Sequence, residues 1–276
     1  MNIKTSHTLL AIALGLGIQA NAAASRISVT VENLTATGGV YFTPVWVGFH
    51  DGSFDTFDVG GAASASIEAI AEGGDASGIR TDFATAAAGT DDVIFAPDGF
   101  PGAPVFDPGD SASLVLDVDA NSDRYFSFAS MIIPSNDAFI GNDNATAYEI
   151  FDATGVFNGP LEILVLGNQV WDAGTEVNDG MGAAFSVLGG TSTDEMATIG
   201  VHSGLGVLLG TDTLAGTTID TIAGDFTQAG YQVARITINQ VPEPHLLAMF
   251  GLGLGLMRVV GAKRDSGSKL DGGLAA

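Results

Sequence analysis

The chain has 276 residues, no cysteine, and 32 acidic against nine basic side chains, for a formal net charge of −23. Between residues 25 and 240 the imbalance is steeper. The basic residues there are Arg26, Arg80, Arg124 and Arg235; Glu243, Asp265 and Asp271 lie beyond, so 29 acids face four bases and the net is −25. Nothing in such a segment neutralises phosphates, which excludes nucleic acid as a partner. The missing cysteine excludes disulfides, thiol nucleophiles and cysteine-ligated zinc.

The chain opens with Lys4, the apolar run "LLAIALGLGI" and then "QANAAAS". A charged start, a short apolar core and small residues describe a secretory signal over residues 1–24. The run is too short for a membrane span. Residues 25–240 then suffice for one large domain with a sizeable core. "RISVTVENLT" alternates apolar and polar residues from Ile27 to Leu34, which predicts a half-buried strand. "YFTPVWVGFH" predicts another, with Pro44 at an edge or a bulge. "GGAASASIEAIAEGG" breaks the β pattern. Ile67, Ile70 and Ala71 recur at helical spacing, and Gly73-Gly74 supplies a stop.

"FATAAAGTDDVIFAPDGFPGAPVFDPGDSA" has no clear period and reads as a long surface loop. "SASLVLDVD", "RYFSFASMII", "LEILVLG" and "YQVARITINQ" predict further strands, with Gly, Asp, Asn and Pro between them. The expected fold is mainly β, an antiparallel β-sandwich with one or two helical insertions.

After residue 240 the character changes. "VPEPHLLAMFGLGLGLMRVVGAKR" carries Pro242-Glu243-Pro244, an apolar stretch from Leu246 to Ala262, and the basic pair Lys263-Arg264. Hydropathy and the basic flank give a marginal stop-transfer segment. The three-part order over residues 241–264 also resembles the PEP-CTERM sorting signal of bacterial envelope proteins. That resemblance implies transient anchoring through residues 246–262 and cleavage by an exosortase-type processing enzyme. Residues 265–276, "DSGSKLDGGLAA", form a short polar tail that departs from the pattern.

Catalytic readings find little support. The domain holds two histidines, His50 in "VGFHDGSF" and His202 in "IGVHSGLG", with Ser53 and Ser203 nearby. There is no Gly-x-Ser-x-Gly elbow, and "GVHSGLGVLLG" lacks the lysine of a phosphate loop. Carboxylates are so numerous that a pair identifies no glycosidase. The expectation is a protein that is not an enzyme.

Calcium fits an acidic exported domain better, because it takes several oxygen ligands from loops. Two stretches compete. "DVDANSD" places Asp117, Asp119, Asn121 and Asp123 at alternate positions, like the first half of an EF-hand. It lacks the central glycine and the closing glutamate, and it lies between two strands, so a polar hairpin turn is the expected reading. "VWDAGTE" puts Asp172 and Glu176 four apart around a Gly-Thr turn, after the strand "LEILVLG". This stretch is either a plain acidic turn or part of a cation site, and crowding two carboxylates without a cation would raise a pKa.

"MIIPSNDAFIG" at 131–141, followed some thirty residues later by "WDAGTE", resembles the spondin domain, the N-terminal domain of F-spondin and mindin. The family's Pro-Ser-x-Asp motif matches at Pro134, Ser135 and Asp137. Its Trp-Asp-Ala-Gly-Thr-Asp motif matches at Trp171, Asp172, Ala173, Gly174 and Thr175, with Glu176 in place of the last aspartate. Upstream, "TPVWVGFHDGSFDTFDVGGAASASIEAIAEGG" is similar to the family's proline, histidine and Gly-Ala-Ser helix ending in Ala-Glu-x-Gly. Ala138 stands where the family often has tryptophan.

The resemblance covers most of residues 26–239. It implies one calcium ion at one end of the sandwich, with Asp137, Asp172 and Glu176 as its carboxylates. It also implies binding rather than catalysis: an exported adhesion or matrix-associated protein of the bacterial envelope or biofilm, whose partner is a glycan or a surface protein. An exopolysaccharide-processing hydrolase and an inert structural surface protein are the alternative readings.

Overall fold

A computed structural model describes residues 24–242, apart from 87, 98 and 101. The expected signal sequence and sorting segment lie outside the described residues, except at their inner ends. Two antiparallel sheets face each other. The first has four strands in the order β5-β1-β11-β8, built from β1 (Ser25–Asn33), β5 (Ser111–Val118), β8 (Leu161–Leu166) and β11 (Gln232–Gln240). The second runs β10-β9-β7-β6-β3-β4. It contains β3 (Val45–His50), β4 (Gly89–Ile94), β6 (Tyr125–Ile133), β7 (Ala138–Gly141), β9 (Val170–Asp172) and β10 (Gly200–Val201), while the short β2 (Tyr41–Phe42) adds to β6. The expected mainly β sandwich is therefore the fold.

The pattern of each strand follows its layer. β1 buries Ile27, Val29 and Val31 and leaves the residues between them half-buried, because only one face of its sheet is covered. β6 is buried along nearly its whole length, because its sheet is covered on both faces. One cluster, including Ile27, Val47, Phe49, Phe126, Phe128 and Ile236, fills the space between the sheets. A second, including Trp46, Ile67, Ile70, Phe83, Ala129, Phe139 and Ala173, lies under the helices.

The expected helix is α1 (Ala65–Gly73). Ser64 caps its start by accepting from the Ile67 N–H, and Gly74 ends it in the left-handed region at φ 68°. Ile67 and Ile70 are buried, as the spacing predicts. A second helix, α2 (Ser77–Thr85), follows at once, with Ile79 and Phe83 as its buried residues.

Two expectations change. The "long surface loop" after Phe83 contains β4 and the core residues Val105 and Phe106. β4 reads Gly-Thr-Asp-Asp-Val-Ile, so no apolar alternation announces it. Pairing with β3 holds it instead, and Asp91 accepts a bond from the Trp46 indole. Pro44 lies in the break between β2 and β3 rather than in an edge strand, and β3 is internal to its sheet.

Candidate metal centre

Strand pairing builds the site. β7 and β9 are neighbours in antiparallel register with Ala138 opposite Asp172, so Asp137, just before β7, lies beside the end of β9. The turn that delivers Asp137 is held by Ser135, whose hydroxyl donates to the Ile132 carbonyl and accepts from the Ala138 N–H. The "WDAGTE" turn is held by Asp172, which accepts the Gly174 N–H at 2.8 Å. Gly174 has φ 69°, and a Cβ there would sit 2.9 Å from the Ala197 carbonyl carbon. Only glycine satisfies both demands.

Asp137 is fully buried. Its Oδ2 accepts the backbone N–H groups of Thr175 (2.8 Å) and Glu176 (3.1 Å). Its Oδ1 is buried with no hydrogen-bond partner among the described residues. A buried carboxylate oxygen without a donor is costly in a protein interior, and such groups are normally paired or bound to a metal. Asp137, Asp172 and His202 each offer a ligand atom, and these atoms lie within 4.8 Å of one another. Burial raises the Asp172 carboxyl to about 6, helped by the Asp137 charge and then by Glu195. The crowding expected between Asp172 and Glu176 is found instead between Asp172 and Asp137.

Glu176 is placed differently from Asp137 and Asp172. Its backbone N–H serves Asp137, and its Oε2 accepts from the Asn136 amide at 3.2 Å. Its carboxylate is not in the converging group. Another acid approaches from α1. Glu72 is held above the usual carboxylate range chiefly by burial, then by the charges of Glu176, Glu68 and Asp137, while a bond to Thr175 pulls it down. In the sequence Glu72 stands out only as part of the Ala-Glu-x-Gly helix end, and nothing local to His202 signals the site.

The donor chemistry is oxygen. The His202 Nδ1 accepts the Gly204 N–H at 3.0 Å, which places the ring proton on Nε2 and leaves the neutral imidazole no free lone pair. Carboxylate oxygens without a thiol or an available imidazole nitrogen suit a hard cation. Asp137, with its bare Oδ1, fits such an ion, with Asp172 beside it and Glu72 and Glu176 at the margin.

"DVDANSD" is a closed turn between β5 and β6. Asp119 accepts from the N–H and side-chain amide of Asn121, and the buried Asp123 accepts from Thr90 and from the Asp119 N–H. Asp117 pairs with Arg26 of β1, so these three carboxylates are engaged by neighbouring protein groups.

The buried Asp137 beside the half-buried Asp172, at the neighbouring ends of β7 and β9 and beneath a short helix, defines a β-sandwich of the spondin type. The family model described as Spondin_N matches residues 35–185, and the chain belongs to that family. Membership is consistent with an extracellular binding or adhesion protein. No curated protein matches the sequence. Among the described residues, no helix is long and apolar enough to cross a membrane.

Proposed function

We propose that this is an exported, non-catalytic adhesion or matrix-associated protein whose domain binds one calcium ion at Asp137 and Asp172. The observation that carries this reading is the fully buried Asp137, whose Oδ1 has no partner among the described residues and whose carboxylate lies within 4.8 Å of that of Asp172. A bound cation would supply the missing partner and relieve the repulsion between the two acids. Both histidines argue against a hydrolase. Each has Nδ1 occupied by a glycine N–H, from Gly52 or Gly204, so each carries its proton on Nε2 and neither offers a base there.

Calcium should raise the melting temperature, following RT ln(1 + [L]/Kd), or about 2.7 kcal/mol at a hundredfold excess. Exported calcium modules bind at ~10⁻⁴ to 10⁻³ M, so millimolar calcium is the range to scan. Magnesium should do less, because it holds its waters in a tight octahedron. Asp172→Asn and Asp137→Asn should remove most of the shift, and Asp119→Asn should leave it intact. If Asp119→Asn alone removes it, the ion sits in the hairpin and this site is wrong.

The proposed setting is the envelope or biofilm matrix of a bacterium, reached through the N-terminal signal and the PEP-CTERM-like segment. The mature chain should begin between Ala23 and Ser25 and end after Pro244. An intact mass that retains residues 246–262 would mean an anchored protein instead. The partner class is a glycan or a surface protein. A binding screen with and without calcium tests it, and a blank screen favours an inert structural role.

A further inference from the structure

His202 lies outside the residues matched by the family model, yet it reaches the site. β10 pairs with β9, with Gly200 opposite Asp172, and the His202 N–H donates to the Val170 carbonyl at 2.9 Å. The ring is 3 % exposed and packs edge-on against Phe226, with centroids 5.5 Å apart. Its two nitrogens are both engaged. Nδ1 accepts the Gly204 N–H, and Nε2 lies 3.0 Å from the Asn178 Oδ1.

With Nδ1 accepting, Nε2 must donate, so the Asn178 oxygen is the acceptor and its Nδ2 faces outward as a donor. That Nδ2 donates to the Asp172 Oδ2 at 2.8 Å. The chain Gly204 N–H, His202, Asn178, Asp172 has one consistent proton direction from end to end. It holds Oδ2 of Asp172 while the Gly174 N–H holds Oδ1. Asn178 itself is exposed, so without His202 its amide would be free to rotate.

We propose that His202 is a positioning residue for the cation site, acting through the Asn178 amide to orient the Asp172 carboxylate. The proposal rests on the calcium reading above and adds the segment beyond residue 185 to that site. Groups that orient ligating carboxylates typically change metal affinity by ~10–100-fold when removed. The role requires an N–H at the Nε2 position and nothing else of the imidazole's chemistry.

The test is calcium chloride titration calorimetry on the folded domain. His202→Leu and Asn178→Ala should each weaken binding at least tenfold. The double variant should be no weaker than the worse single one, because a relay is lost once. His202→Gln, which keeps a donor for Asn178, should stay within threefold of wild type.

Two further readouts separate positioning from general damage. Long-range nitrogen–proton spectra should show His202 protonated on Nε2 with and without calcium. Asn178→Ala, at an exposed position, should leave the cation-free melting temperature unchanged. Affinities within twofold of wild type, losses that add in the double variant, or a proton on Nδ1 would overturn the proposal while leaving the calcium site standing. A wild-type domain that binds no divalent cation would end both.

Discussion

His50 and His202 are built alike. Each precedes a glycine by two positions and accepts that glycine's N–H on Nδ1, and each is buried. For His50 the other nitrogen lies 3.0 Å from the Ser127 hydroxyl. Burial drives the His50 pKa down to about 4, against a smaller opposing pull from Asp51. The unfolded chain, with His near 6.5, therefore binds a proton that the folded one refuses. Between pH 6.5 and pH 4 stability should fall as the pH falls, by up to roughly 3 kcal/mol from this residue. Urea unfolding across that window should give a steeper slope for wild type than for His50→Gln. Parallel curves would mean that His50 titrates normally in the fold. The motif His-x-Gly is visible in both places, but it does not reveal burial. Asp137 and Asp172 were legible because their neighbours form a recognisable motif. Glu72 and His202 reach the same place from a helix and from just after β10, and no local spacing reports a tertiary approach.

At the scale of elements, α1 and α2 cover the outer face of the second sheet. Without them β3 and β6 would expose Trp46 and Ala129 to water. The glycine stop of α1 is also a packing requirement. A Cβ on Gly74 would lie 2.5 Å from the Thr43 methyl, so the helix ends against the β2–β3 connection. Ile70→Asp would place a charge with no basic partner into the cluster of Ile67, Ala71 and Phe83, at a cost of several kcal/mol. A thermal melt of that variant indistinguishable from wild type would refute the packing assigned to α1. Because Glu72 lies on the same helix, a loosened α1 should also weaken the calcium shift. The strands that were legible are those of the first sheet, where one covered face makes apolar residues alternate, and β3 and β6, whose double cover makes nearly continuous apolar runs. β4 and α2 were hidden. One carries two aspartates in a six-residue strand, and the other has only two apolar positions turned inward.

Across the whole molecule the acidic excess has little internal relief. Among the described residues all four arginines are ion-paired: Arg26 with Asp117, Arg80 with Asp91 and Asp92, Arg124 with Glu149, and Arg235 with Glu32 and Glu162. These pairs sit at or near the surface, where each contributes at most about 1 kcal/mol. The remaining acids repel one another at long range, which disfavours the compact state. Screening should therefore help more than it harms. Raising sodium chloride from low levels to 1 M shortens the Debye length from ~30 Å to ~3 Å, and the melting temperature should climb gradually without saturating. Calcium should behave otherwise, saturating at millimolar levels against a high-salt background where general screening is already spent. Asp172→Asn should keep the sodium response and lose the saturating calcium response, because it removes a ligand and barely changes the net charge. If wild type in 1 M sodium chloride shows no further response to calcium, or responds equally to magnesium, the cation effect is screening alone. The paired carboxylates at the end of the sandwich would then be an acidic turn and not a site.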